Sequence, residues 1–351
     1  MRTETITNSN NSIGKSRFGY LLNGDINLSW LLLGIGGTGK DSIASAKKQH
    51  EAAGNPFPVY TMAIDTDTLG FDAFDFSIDI APTRDAVSAM AANPQKYGVA
   101  CRAIIEYHDD LLEYEVLGHG ARTTRIITQA AFEIHEDKIT KGLRDAIESL
   151  LKRGASRRVQ PVVFASFGGG TGSAGVILLQ NFFMDETKRR EITIGLPPKL
   201  LAQPILFAID PYAHVLQQTT EEAARKILTN IYATRVELAE YEKIGKGYQY
   251  CFHLGLGSDG GVIFSTIPQV CEANGIMAWE WMAAYPYIKG RFVDGIDFGK
   301  SANRFRGNNI PELQYYPQDL IPEYGEQIDG EISDESLNEQ TDSDSKGVSD
   351  G

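Results

Sequence analysis

Residues 159–173 read VQPVVFASFGGGTGS. Nine mostly apolar residues end in three glycines, a threonine, a fourth glycine and a serine, and residues 174–183 (AGVILLQNFF) turn apolar again. A short continuous apolar run is the pattern of a strand buried on both faces, here followed by a small-residue helix. Glycines in such a turn let the backbone approach a ligand, and the amides at the helix start favour an anion. The same order occurs once earlier. Residues 28–33 (LSWLLL) lead into Gly34-Ile35-Gly36-Gly37-Thr38-Gly39-Lys40 and a helical stretch over 42–50.

Three further runs predict buried strands at 59–64 (VYTMAI), 205–209 (ILFAI) and 250–256 (YCFHLGL). Helical patterns fill 99–113, 126–153 with a short break, 219–241, and a stretch reaching Trp281. Apolar strands alternating with helices predict a doubly wound α/β domain over 28–290, a mostly parallel sheet with helices on both faces. Residues 1–27 are rich in Asn, Ser and Thr and are expected to form a polar arm. Residues 291–322 read as a residual extension rich in Gly, Asn and Pro. Residues 323–351 carry ten acids against Lys346 and little aliphatic content, so a disordered acidic tail is expected there.

Of the 351 residues, 42% are hydrophobic, enough for a sizeable core. The formal charge is −13, and most of it lies in the tail. A general nucleic-acid binder needs a basic face, so direct nucleic-acid binding is not expected. The tail itself reads as solubilising, with docking of a basic partner as its sharper use. Cys101, Cys251 and Cys271 are far apart, which argues against a disulfide framework or structural zinc. The six histidines show no metal-ligand spacing. No run of about 18 apolar residues is present, so no membrane association is expected and the chain reads as cytoplasmic.

The first glycine loop also fits a P-loop in part. Gly34, Gly39 and Lys40 match G-x-x-x-x-G-K, but Asp41 stands where a Ser or Thr hydroxyl would hold Mg²⁺. A P-loop NTPase built on Lys40 is therefore the enzyme alternative. A non-catalytic interaction scaffold with a degenerate nucleotide pocket is the alternative from another class.

The GGGTGS element resembles the GGGTG[ST]G motif of the tubulin/FtsZ superfamily, departing at Ala174. Other parts match in order: the first glycine loop, Asp65-Thr66-Asp67 after the second strand, and Gly118-His119-Gly120-Ala121-Arg122 before the next helix. Ser258-Asp259-Gly260-Gly261 falls where the family embraces the guanine. The resemblance implies that GTP or GDP is the ligand, with Mg²⁺ carried by the nucleotide. It implies that Gly36, Gly37, Thr38 and Gly39 face the α- and β-phosphates, with Asp65 and Asp67 in the adjoining loop. It places Gly168, Gly169, Gly170, Thr171, Gly172 and Ser173 around the β- and γ-phosphates. Gly118, Gly120 and Ala121 would close on the γ-phosphate, with Arg122 adding a charge-assisted contact. Asn230 and Asp259 are the expected contacts to ribose or base.

In this family a neighbouring subunit supplies the acidic loop that completes hydrolysis. The matching region here is residues 293–300 (VDGIDFGK), where Asp297 fits, Asp294 is a second candidate, and Lys300 replaces the last acid. The resemblance thus implies a GTPase acting in self-assembly or switching, as a homo-oligomer or filament. Only residues 301–351 follow this loop, so the family's C-terminal activation domain is expected to be absent or reduced. The aromatics of residues 279–287 (WEWMAAYPY) are expected either to fill the core or to cover an interface left by that absence.

Overall fold

The computed structural model describes residues 28–107, 121, 123–153, 158–196, 200–211, 215, 218–255 and 266–288, with the side chains of 284–288 left out. All lie in one compact unit. The arm, the extension, the tail, Gly118, Gly120, Arg122, Asp259, Asp294 and Asp297 lie outside the described residues.

Six strands form one sheet: β1 (Ser29–Ile35), β2 (Val59–Asp65), β3 (Phe76–Asp79), β4 (Val159–Ser166), β5 (Ile205–Ile209) and β6 (Tyr250–Leu254). Their order is β3-β2-β1-β4-β5-β6, and every pairing is parallel. The five predicted strands are present. Every residue of β1, β4 and β5 is buried, as continuous apolar runs require of central parallel strands.

Nine helices are described: α1 (Gly36–Ala52), α2 (Arg84–Ala92), α3 (Val99–Tyr107), α4 (Arg125–Ile134), α5 (Glu136–Arg153), α6 (Gly170–Met184), α7 (Glu186–Ile192), α8 (Glu221–Lys243) and α9 (Ile267–Ile288). One face of the sheet packs Trp30, Leu32, Phe164 and Phe207 against Ile43 and Ala46 of α1 and Trp279 and Met282 of α9. Gly275 makes that layer possible, since a Cβ there would lie 2.5 Å from the Ser42 carbonyl on α1. Trp279 is buried and stacks on Phe57 at 5.4 Å, while the half-buried Trp281 packs on Trp30, Phe207 and Phe252. These two tryptophans are core residues, which corrects the interface option for them; Tyr285 and Tyr287 lie outside the described side chains.

Five elements differ from expectation. Strand β3 was not predicted, although residues 74–80 (FDFSIDI) alternate apolar and polar with the period of a half-buried strand. It pairs with β2 from Met62↔Phe76 to Asp65↔Asp79 and forms one edge. Helices α2 and α7 are short, and their caps carry them: Thr83 Oγ1 accepts from Ala86 N, and Asp185 Oδ1 accepts from Thr187 N and Lys188 N. Finally, α1 and α6 begin inside the glycine loops rather than after them, so tertiary packing overrides the low helix propensity of glycine. No helix among the described residues is long and apolar enough to cross a membrane.

Candidate nucleotide site

Strand order reverses between β1 and β4, because β2 and β3 extend to one side and β5 and β6 to the other. A crevice opens outside the carboxyl ends of the strands at such a point. Both glycine loops leave from it. Gly36, with φ +72°, starts α1, and Gly170 starts α6.

The two loops touch. A Cβ placed on Gly36 would lie 3.2 Å from the Gly172 amide nitrogen and 3.3 Å from Thr171 Cβ. On the other side of the second loop, a Cβ on Gly170 would lie 2.7 Å from Ala121 Cβ and 2.9 Å from the Thr124 nitrogen, at the start of α4. Three helix N-termini therefore converge. None of the three has a side-chain cap or an acidic residue in its first turn, so their leading amides face no competing anion from their own helix. Helices α2, α7 and α8, elsewhere in the chain, are capped by Thr83, Asp185 and Thr220.

The glycines divide into two kinds. Gly34, Gly39, Gly168, Gly170 and Gly172 are pressed against neighbours; added Cβ atoms would come within 2.4 Å of the Phe164 carbonyl at Gly39 and 2.5 Å of the Ser166 carbonyl at Gly172. Gly37 and Gly169 have open space where a Cβ would be. One stretch of backbone in each loop thus stands open.

Hydroxyls and amides tie the loops together. Thr66 Oγ1 lies 3.2 Å from Thr171 Oγ1 and accepts from the Ala121 amide at 3.2 Å, so one buried hydroxyl meets three loops. Asn230 Nδ2 donates to the carbonyls of Thr123 (2.8 Å) and Gly168 (2.9 Å). Thr123 has φ +64°, a costly conformation for a β-branched residue, and the Asn230 amide holds it there. Arg125 donates to the Ser173 carbonyl at 3.0 Å and pairs with Glu237 at 2.5 Å, bracing α4 against α6 and α8.

Lys40 does not face the crevice's anion side with a free ammonium. Its Nζ pairs with Asp65 Oδ2 at 2.9 Å and donates to the carbonyls of Asp67 (2.8 Å) and Leu69 (2.9 Å), using all three protons. Burial lifts the Asp65 carboxyl above its ordinary range, while the Lys40 ammonium and the Thr66 and Asp67 amides restrain the rise. Lys40 is thus a buried strut for the loop after β2. The P-loop alternative built on Lys40 loses its phosphate-binding cation as well as its magnesium hydroxyl.

A cleft of about 450 Å³ adjoins the second loop, lined by Thr123, Gln218, Thr220, Glu222, Ala223, Lys226 and Ile227. Ile227 Cγ2 is the atom that a Cβ on Gly168 would meet at 2.7 Å, which fixes the cleft beside that loop.

No protein-family model matches the sequence, and no curated protein matches it. Solved structures do. CetZ2 from Haloferax volcanii, as a GTPγS-bound protofilament, is 13% identical, with 79% of this chain and 63% of that one covered and a TM-score of 0.43. CetZ from Methanosaeta thermophila is 15% identical over 80% and 60% of the two chains, TM-score 0.43. TubZ from Bacillus thuringiensis serovar israelensis, as a GTPγS-form protofilament, is 13% identical over 78% and 60%, TM-score 0.43. This chain spans about three fifths of the length of these structures.

Of the residues that the tubulin-like resemblance singles out, Gly36 meets Thr171 and Gly172, Gly170 meets Ala121, Gly39 and Gly172 pack on carbonyls of β4, Gly37 and Gly169 stand open, and the Thr38 carbonyl accepts from Ser42 Oγ. Asp65 is committed to Lys40, and the exposed Asp67 accepts from the Leu69 amide at 3.0 Å through Oδ1. Asn230 has both amide protons in the loops and so serves the loops themselves. Thr66 and Thr123 were not singled out. Thr66 stood in the quoted Asp65-Thr66-Asp67 run, but nothing in one sequence marks which member turns inward.

Proposed function

We propose that this chain binds a guanine nucleotide, GTP or GDP, with its phosphates between the two glycine loops. The observation that carries the reading is the convergence of three uncapped helix starts, with Gly37 and Gly169 standing open. Amides and helix dipoles would meet the phosphate charge there. Among the described residues, Lys40 and Arg125 already have partners. Thr171 adds a hydroxyl, and the adjoining cleft has room for the rest of a nucleotide. The GGGTGS resemblance supports guanine over adenine. Magnesium would arrive on the phosphates, because the described residues contain no cluster of three His, Cys, Asp or Glu suited to an ion.

Hydrolysis of GTP, completed by Asp297 or Asp294 of a neighbouring copy in a homo-oligomer or filament, is the activity proposed with this binding. Titration with a fluorescent GTP analogue, challenged by excess GTP, GDP and ATP, tests the first part. Micromolar binding displaced by the guanine nucleotides is expected and should weaken in Gly169→Val; its absence would favour a scaffold with a degenerate pocket. Light scattering and electron microscopy after GTP addition test assembly. Asp297→Ala is expected to bind GTP normally and turn it over slowly.

A further inference from the structure

One buried group of titratable side chains takes no part in the crevice. Asp210, immediately after β5, has a carboxylate with no solvent exposure, and Arg235 of α8 pairs with its Oδ2. His253 on β6 places Nδ1 3.6 Å from the same oxygen, too far for a hydrogen bond but close for a charge pair. On the far side of the ring, Nε2 lies 3.1 Å from Cys251 Sγ. Strand alternation puts Cys251 and His253 on one face of β6, while Phe252 between them stacks on Phe207 at 4.7 Å in the opposite layer.

We propose that Cys251 is a reactive thiol, paired as a thiolate with the His253 imidazolium, and a site of modification by peroxides and other soft electrophiles. Geometry supports this pairing: the imidazole lies between the Asp210 carboxylate, on its Nδ1 side, and the Cys251 sulfur, 3.1 Å from Nε2. Burial opposes the charge on His253, but Cys251 and Asp210 together raise its pKa to about 10. Arg235 and His253 likewise outweigh burial and hold Asp210 below its ordinary range.

The other two cysteines are natural controls. All three are buried and free of disulfides. Cys101 lies beside Glu133 and Cys271 near Asp41; burial, reinforced by those carboxylates, pushes the first thiol far up and the second to about 12. Because Cys251 is buried, its modification requires local opening of β6, a five-residue strand that pairs with β5 alone among the described strands.

With hydrogen peroxide the step balances. The thiolate attacks one oxygen, the S–O bond forms as the O–O bond breaks, and the departing hydroxide takes the Nε2 proton to leave as water. Sulfur loses two electrons, peroxide gains them, and a sulfenic acid remains beside neutral His253.

The test is pulse alkylation of the full chain with iodoacetamide at pH 6, 7 and 8, each cysteine being quantified by mass spectrometry. Cys251 is expected to react at least about tenfold faster than Cys101 and Cys271 at pH 6, with a nearly flat profile to pH 8. An ordinary thiol would instead gain about tenfold per pH unit below its pKa. His253→Gln should lower Cys251 labelling at pH 6 and restore the rise with pH, leaving the other two unlabelled, which also reports that the variant is folded. Should it unfold, the wild-type profile decides. Peroxide followed by dimedone should mark Cys251 alone. Equal labelling of the three cysteines, an ordinary pH profile at Cys251, or no dimedone adduct there would overturn the proposal.

Discussion

The two glycine loops occupy matching places at the ends of β1 and β4, and each leaves one glycine, Gly37 or Gly169, facing open space. They differ in how they are held. Lys40, leaving the first loop, is fastened by a buried ion pair to Asp65 and by two carbonyls. In the second loop Gly168 and Thr171 are held by neutral groups, the Asn230 amide and the Thr66 hydroxyl, with the Arg125 guanidinium reaching only Ser173 at its far end. The first loop thus rests on a buried ion pair, and the glycines of the second on neutral hydrogen bonds. A buried charge is costly when its partner is removed, whereas a neutral hydrogen bond contributes modestly.

The largest effect is expected at the charged anchor. Lys40→Met strands the Asp65 carboxylate and should cost about 3–5 kcal/mol in urea unfolding, with most of it recovered in the Lys40→Met, Asp65→Leu double variant. A single-variant loss as small as that of a surface lysine would erase the distinction between the loops. Next come the packed glycines. Gly39→Ala and Gly172→Ala force a Cβ onto main-chain carbonyls, and each should lose about 1–3 kcal/mol in the same measurement. Unchanged unfolding midpoints would mean that the strand–helix contacts are looser than these distances.

Asn230→Ala comes third, releasing the carbonyls of Thr123 and Gly168 for about 1–2 kcal/mol. It should speed amide exchange around residues 123–125 and 168–170 while leaving residues 65–69 as they were; faster exchange in both regions would show that the anchors are not independent. The smallest stability effect belongs to the open glycines. Gly37→Ala and Gly169→Ala should stay within about 0.5 kcal/mol of the parent, yet lower affinity for a fluorescent GTP analogue about tenfold or more. Affinity equal to the parent's would remove these two backbones from the ligand's path.

Much of the frame was legible beforehand. Central strands such as LSWLLL and VQPVVFAS are recognisable because burial on both faces removes every polar requirement at once. Edge strand β3 was missed because Phe76 and its neighbours are half exposed and short, although the alternation was there to be read. Within the site, glycine density located both loops, but the partners of Lys40 and Asn230 were not legible. A lysine after Gly39 invites a phosphate, and an asparagine on a long helix invites a base, until their partners are known.

Taken alone, the amino-acid order determined the alternation of strand and helix, the parallel sheet and the positions of both glycine loops. These follow from hydrophobic period and from the absence of a Cβ, which are local properties. The tertiary structure decided which glycines exist for packing and which stand open, that the Lys40 ammonium is used up, and that Asn230 serves the loops. Those outcomes depend on partners 27 residues away for Lys40 and 107 for Asn230, which only the folded sheet brings within hydrogen-bonding distance.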